Sequence, residues 1–334
     1  MEPGTQAWLD QVDEAPIDPD RPIIDPHHHL WPPTDPVPYG VPDLIADTGS
    51  RHKIVGTVFV ECGASYRDDG PEHLRAVGET EFVAGAAFAM QRENPEAAPI
   101  LGIVADANLA LGGLFAEQLD AHEEAAGGLL RGIRDALARA VEPEAMMIVG
   151  SAPEGLAADQ AFRDGMRLLG ARGLTYDTWH YHYQNREFLE LARAVPDTTM
   201  VLDHFGTPVG VGRFAGARDE IFDAWKADIT DLAQCENVVA KLGGLAMPDN
   251  GFGWHMAERP PTSDEFVDAQ ARYYHHTIEA FGPERCMFES NFPVDKFSLS
   301  YDVLWNGLKK VAARYTPDEQ EAMFAGTARR VYRL

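Results

Sequence analysis

Apolar and polar positions along this 334-residue chain follow a repeating rhythm. Short runs rich in Val, Ile and Leu predict strands at 23–29, 55–61, 101–106, 129–134, 173–178, 199–204, 237–242 and 285–291. Longer segments between them predict helices, among them 71–92, 114–125, 156–170, 186–195, 216–234, 264–281 and 300–313. Eight strand–helix units in succession predict an α/β fold, a (β/α)8 TIM barrel, as one domain over residues 22–334. Its working face would be the C-terminal ends of the strands, where long loops are expected. An open doubly wound sheet is the alternative, but no Gly-rich phosphate loop follows the first strand. Residues 1–21, acidic and Pro-containing, read as an N-terminal arm. Residues 246–262 read as a long loop after the seventh strand, where barrels carry lids.

Placed on this framework, the polar residues gather at one end. The segment Ile-Ile-Asp-Pro-His-His-His-Leu-Trp (23–31) enters as a buried strand and leaves through Pro32, Pro33, Pro36 and Pro38 as a loop. Side chains alternate along a strand, so His27 and His29 share a face, with Asp25 joining them one step earlier. Two imidazoles there can form half of a divalent-metal site or a structural histidine cluster. Strand four ends at Arg134, and strand five delivers Tyr176, His180 and His182. Strand six delivers His204 beside Asp203, and strand seven carries Lys241. Strand eight brings Glu289 and Asn291 on one face, with Asp295 following in the loop. Histidines converging on one end of one barrel argue for a site rather than for unrelated surface residues.

Charge narrows the partners. A net charge of −25 and a pI near 4.7 exclude nucleic acid and anionic membrane surfaces, which need basic patches. A small-molecule substrate remains, and an anionic one would need local cations. Arg134, Lys241 and Arg131 are the candidates, with Trp31, Tyr176, Trp179 and His180 as further pocket residues. Three widely spaced cysteines (Cys62, Cys235, Cys286) form no disulfide framework and read as buried free thiols. The start carries no basic region or apolar run, and no stretch approaches the roughly 20 apolar residues of a membrane span. A cytoplasmic protein is the expectation, and a homo-oligomer is compatible with it.

The motifs then take on a family likeness. The Asp-x-His-x-His-Leu-Trp start, the Asp-His-x-Gly of strand six and the Ser-x-x-Pro-Val of strand eight resemble the amidohydrolase superfamily. Within it, Gly-Leu-Thr-Tyr-Asp on strand five and Lys-Leu-Gly-Gly on strand seven resemble the amidohydrolase 2 branch of lactonases. The resemblance covers about residues 20–334 and implies a hydrolase that opens a small, carboxylate-bearing lactone, or a related amide or ester. It implies His27, His29, His182 and His204 as metal ligands, with Zn²⁺ the expected ion and Mn²⁺ an alternative. Metal-free members of the branch polarise the carbonyl with histidines from strands one and five. Related barrels also run decarboxylase or hydratase chemistry on aromatic acids, and that alternative stays open.

One departure sits where the base should be. The family ends strand eight with Ser-Asp, whereas this chain has Ser290-Asn291, and an amide cannot take a proton from water near neutral pH. Glu289, two positions earlier on the same face, is a relocated carboxylate that could serve as base while Asn291 orients water. The competing reading pairs Glu289 with Lys241 or Lys296. Asp295 is a second base candidate, or a structural cap. With no base available, the barrel would bind without catalysing.

Overall fold

A computed structural model describes residues 3–35 and 37–334; Pro36, placed in the loop after the first strand, and Met1 and Glu2 of the arm lie outside the described residues. Eight parallel strands lie in sequential order: β1 (Ile23–His28), β2 (Ile54–Val60), β3 (Ile100–Asp106), β4 (Leu130–Arg134), β5 (Thr175–Thr178), β6 (Met200–Leu202), β7 (Val238–Leu242) and β8 (Cys286–Phe288). Backbone bonds from Asn291 N to His27 O (3.0 Å) and from His29 N to Phe292 O (2.8 Å) join the ends of β8 and β1. This nearly closed ring is the (β/α)8 barrel, not the open doubly wound sheet.

Helices wrap the ring. After two short helices, α1 (Gln6–Leu9) and α2 (Val41–Thr48), come α3 (Val77–Glu93), α4 (Gly113–Ala126), α5 (Gln160–Ala171) and α6 (Asn185–Ala194). The chain continues with α7 (Arg218–Leu232), α8 (Ser263–Phe281), α9 (Tyr301–Ala312), α10 (Pro317–Glu321) and α11 (Thr327–Tyr332). Their starts carry the expected chemistry: Asp159 caps α5, Thr262 caps α8 and Ser300 caps α9 through side-chain oxygens on free N–H groups.

Strand alternation sorts the apolar residues into two cores. Outward positions such as Phe59, Ile103, Ile133, Met200 and Phe288 meet the helices. Inward positions Ile24, Val58, Val60, Val104, Val201, Val239 and Met287 fill the barrel and pack on Ala325, Ala328, Val331 and Tyr332 from the C-terminal end of the chain. The last helix therefore plugs the barrel floor.

Two strands end earlier than their hydrophobic runs. β6 stops at Leu202 because His204 (φ 52°) and Phe205 (φ 59°) turn into the left-handed region. β8 stops at Phe288 because the Asp25 carboxylate takes the Ser290 N–H (2.9 Å) and Asn291 stands at φ 55°. The arm is tied to the helical layer: Trp8 is buried, Ile17 N donates to Asn306 Oδ1 (2.8 Å) and Ser263 N donates to Glu14 Oε1 (2.8 Å). All three cysteines are free thiols, and no helix among the described residues is long and apolar enough to cross a membrane.

The plug carries a polar contact as well, since the Tyr332 hydroxyl donates to the fully buried Asp177 carboxylate. Tyr332→Phe should destabilise the protein by about 1–3 kcal/mol, the cost of leaving a buried acceptor short of its donor. Urea unfolding of wild type and variant measures it, and coincident midpoints would show that the plug holds by apolar packing alone.

Candidate active site

The cavity at the C-terminal end of the barrel holds about 850 Å³. Its walls include His29 and Trp31 after β1, Glu61 and Cys62 after β2, Asp106 and Arg134 at the ends of β3 and β4, Asp135, Trp179, His204 and Asn291. The hairpin-like loop at Met147–Gly150 forms an apolar rim, and Asp249 anchors it by accepting the Met147 and Ile148 N–H groups (2.7 and 2.9 Å). Asp249 belongs to the long loop after β7, which therefore braces the rim of the cavity.

Two imidazoles reach this cavity with their tautomers set from behind. His29 Nδ1 lies 2.8 Å from the Val60 carbonyl, an acceptor only, so the N–H is on Nδ1 and Nε2 is left as a base or ligand. His204 Nδ1 lies 2.7 Å from Glu289 Oε1, which likewise leaves Nε2 for the cavity. The approach is close enough to exclude a side chain opposite: a Cβ at Gly244 would stand 2.2 Å from His204 Nδ1, and Gly244 itself sits at φ +74°. His204 and Asn291, both in the left-handed region, are the strained positions that face the pocket.

Beneath them lies a buried ionic cluster. Lys241 Nζ, fully buried, contacts Asp177 Oδ2 (2.8 Å), Asp203 Oδ1 (3.2 Å) and His27 Nδ1 (3.3 Å). Burial alone would depress the ammonium pKa, but Asp177, Asp203 and Glu289 outweigh it and hold the value above normal. Arg134 Nε binds Glu61 Oε1 (2.6 Å), and its NH1 lies 3.4 Å from Asp203 Oδ2 and 3.5 Å from His27 Nε2. Burial first, then the charges of Lys241 and other neighbours including Arg134, pushes the pKa of His27 well below the usual histidine range. His29 is lowered in the same way, by burial and then by Arg134. Both rings are therefore neutral near pH 7.

A family model for amidohydrolases matches residues 24–334. The chain belongs to the amidohydrolase family. It is 32% identical to the uncharacterised protein y4mH of Sinorhizobium fredii, over 93% of this chain and 98% of that one. It is 29% identical to an L-fucono-1,5-lactonase of Burkholderia multivorans, over 53% of this chain and 57% of that enzyme's length. Among solved structures, an amidohydrolase of Burkholderia multivorans superposes with a TM-score of 0.67 at 24% identity, covering 93% of this chain and 99% of that one. The same Burkholderia protein has also been solved with zinc bound, at a TM-score of 0.66 and 23% identity over 93% of this chain and 99% of that one. At these identities the structural likeness establishes the fold.

Among the described residues of this amidohydrolase, those that can hold a metal are His27, His204 and Glu289, whose ligand atoms all lie within 4.8 Å of one another. Two features make them fit a divalent cation. Glu289 Oε2 is 2.8 Å from His27 Nδ1 but out of hydrogen-bond alignment, which leaves a buried carboxylate oxygen without a partner. In addition, four carboxylates (Glu61, Asp177, Asp203, Glu289) surround two cations (Arg134, Lys241), a surplus of negative charge that suits an ion.

The four-histidine ligand set is not what the fold assembles. His182 turns away, accepting the Val209 N–H at Nδ1 (3.1 Å) with its ring edge on Phe214 and Tyr183, while Glu289 takes the place beside His27 and His204. His180 binds Asn185 Oδ1 (3.0 Å) and packs on Phe188, outside the cavity lining. Tyr176 also faces outward, against Phe162 of α5, because alternation on β5 gives the interior to Thr175 and Asp177. Asp25 does not join the histidines: a bulge between Asp25 and His28 breaks the alternation, and its carboxylate meets Ser290 N and Tyr301 OH. Arg131 sits at the start of β4, on the Gly128 and Leu130 carbonyls. Lys241 is sealed below the floor of the cavity and cannot meet a substrate carboxylate. Asp295 is a buried cap, bound to Asn291 Nδ2 (2.9 Å) and Ala246 N (3.1 Å), and lies outside the lining. Lys296 pairs with Asp47, leaving Glu289 to the histidines.

Sequence reasoning missed Asp106, Asp177 and the ionic role of Asp203. The phase of β5 and β7 held a signal for one pair: Asp177 and Lys241 both fall on the inward parity. Lys241→Met should cost about 3–5 kcal/mol by stranding two buried carboxylates, as for any broken buried ion pair. Denaturant unfolding reads that cost, and an undiminished stability with a raised KM for acidic substrates would restore Lys241 to substrate binding.

Proposed function

We propose that this amidohydrolase opens a neutral, polyhydroxylated lactone, with His204 as general base and Glu289 as the carboxylate that orients it. The supporting observation is the 2.7 Å contact of Glu289 Oε1 with His204 Nδ1, with His204 lining the cavity. Glu289 keeps the Nδ1–H tautomer, and Nε2 takes a proton from water as the water oxygen attacks the lactone carbonyl. This replaces direct proton abstraction by Glu289, which does not line the cavity. Glu289 acts from behind the ring, and Asn291, its amide braced by Asp295, is placed to orient water or substrate. Trp31, tilted against the His29 ring with centroids 5.3 Å apart, and Trp179 supply flat walls for a ring.

The charges support a neutral substrate. Arg134 lines the cavity but is committed to Glu61 and Asp203, while Glu61, Asp106 and Asp135 face the same space. Carboxyl groups hydrogen-bond sugar hydroxyls in either protonation state, and none of the three offers an acid a positive charge. The similarity to an L-fucono-1,5-lactonase points the same way, although that match covers only about half of each chain. Decarboxylation of an aromatic acid would need a cation free for its carboxylate.

In an alternative arrangement His27, His204 and Glu289 would hold a divalent ion, zinc being the choice that suits imidazole and carboxylate donors, and His204 would then be a ligand and not the base. Bound there it would supply Lewis-acid charge to the carbonyl.

Glu289→Gln should lower kcat on sugar 1,5-lactones by roughly 10²- to 10⁴-fold with little change in KM. Acid release and CO₂ release are followed separately on a panel of lactones and aromatic acids. CO₂ release with no lactone opening would sink the hydrolase reading. Elemental analysis separates the two arrangements: near-stoichiometric metal in purified wild type, lost in a folded His27→Ala variant, would make His204 a ligand and not the base. Wild type free of metal, with activity indifferent to chelator, would leave His204 and Glu289 as the whole apparatus.

A further inference from the structure

Strand order sets β2, β3 and β4 across the barrel from β6, β7 and β8, so the cavity has two chemically distinct sides. His204 and Asn291 occupy one side, and Glu61, Asp106 and Asp135 form the other. The three carboxylates differ in company. Glu61 is matched by Arg134 at 2.6 Å, and Asp135 Oδ2 accepts the Leu109 N–H at 2.9 Å. Asp106, whose Cα pairs with that of Arg134, is hydrogen-bonded by the phenol of Tyr66, a residue of the loop after β2. Behind them Glu79 of α3 is buried, with Oε1 accepting the Cys62 and Ala64 N–H groups and Oε2 without a partner.

Lactone opening makes a demand that His204 does not meet. While His204 holds the proton of the attacking water, the ring oxygen must leave as an alcohol, because an alkoxide is a poor leaving group. We propose that Asp106 is the general acid that protonates the ring oxygen. The assignment rests on the hydrolase reading above. Water oxygen bonds to the carbonyl carbon, the carbon–ring-oxygen bond breaks, and the ring oxygen takes the Asp106 proton. The products are a hydroxy acid and an Asp106 carboxylate that solvent reprotonates, while His204 returns its proton to solvent.

The surroundings keep a proton on this wall. Burial, and then the charge of Glu61, raise Asp106 to about 7, against the lowering effects of Tyr66 and Arg134. Glu79 is raised to about 8 by burial and by Glu61 and Asp106, and Asp135 to about 7 mainly by burial. From α4, His122 meets only the backbone of Asp106. An acid must be protonated to act, so lactone turnover should fall as pH rises through about 7.

Leaving-group dependence tests the assignment, with glucono-1,5-lactone and 4-nitrophenyl acetate as probes, since nitrophenolate departs without a proton. Asp106→Asn should lose roughly 10²-fold or more in kcat on the lactone, little on the nitrophenyl ester, and the alkaline limb of its lactone pH profile. Asp106→Glu should recover part of the loss. Equal losses on both probes, or undiminished lactone turnover, would overturn the assignment. Should Asp106→Asn fail to fold, Tyr66→Phe at the half-exposed phenol serves instead: removing a donor to the carboxylate should move the alkaline limb to higher pH, and an unmoved limb counts against the proposal. Wild type inactive on both probes overturns the hydrolase reading and this assignment with it.

Discussion

An ammonium sealed inside a barrel is untenable without partners, and the way Lys241 is satisfied ties the protein together. Taking an ion out of water costs several kcal/mol, which is recovered only through close, well-placed opposite charges. Asp177 from β5 and Asp203 from the end of β6 supply them, while Arg134 from β4 balances Asp203 from above. One end of this cluster receives the Tyr332 hydroxyl from the plugging helix, and the other touches both nitrogens of His27. Floor, strands and catalytic end are thus coupled through contacts that tolerate little displacement. Lys241 and Arg134 also help keep His27 neutral, the form in which an imidazole can accept or ligate.

Above that cluster, control passes from charge to tautomer. An acceptor stands behind each cavity histidine, Val60 O behind His29 and Glu289 behind His204, so each ring leaves its remaining nitrogen for the cavity. In the amidohydrolase family the usual strand-eight Asp would stand where this chain has Asn291. Here a carboxylate two residues back along the chain, Glu289, bonds the His204 imidazole. The opposite wall, built from three strand-end carboxylates, gives the cavity an acidic side. In the proposed reaction these two sides supply the base and the acid for adding water across a cyclic ester.

The fold was legible because a strand–helix rhythm repeated eight times admits few architectures, and each run found its strand within a few residues. The site was legible in part. His27, His29, His204, Glu289 and Asn291 were placed together because they sit at strand ends, where a barrel keeps its chemistry. The errors share a cause. Tyr176 faces away from the cavity because its neighbour Asp177 holds the inward parity, and across the bulge inside β1 Asp25 falls on the face opposite the histidines. His180 and His182 lie beyond the end of β5, where the chain no longer alternates and local turns decide direction.

What the sequence determined by itself was periodicity, which is a local property: apolar runs, helix caps, and the strand ends to which polar residues belong. What only the tertiary structure decided was which side chains meet. Lys241 and Asp177 are 64 residues apart, and His204 and Glu289 are 85 apart. No local pattern records those distances. Whether a cation at a strand end greets a substrate or is consumed by neighbouring carboxylates depends on three strands meeting in space. The ring must close before those charges have partners, so the roles of Lys241, Arg134 and Glu289 emerge only from the assembled barrel.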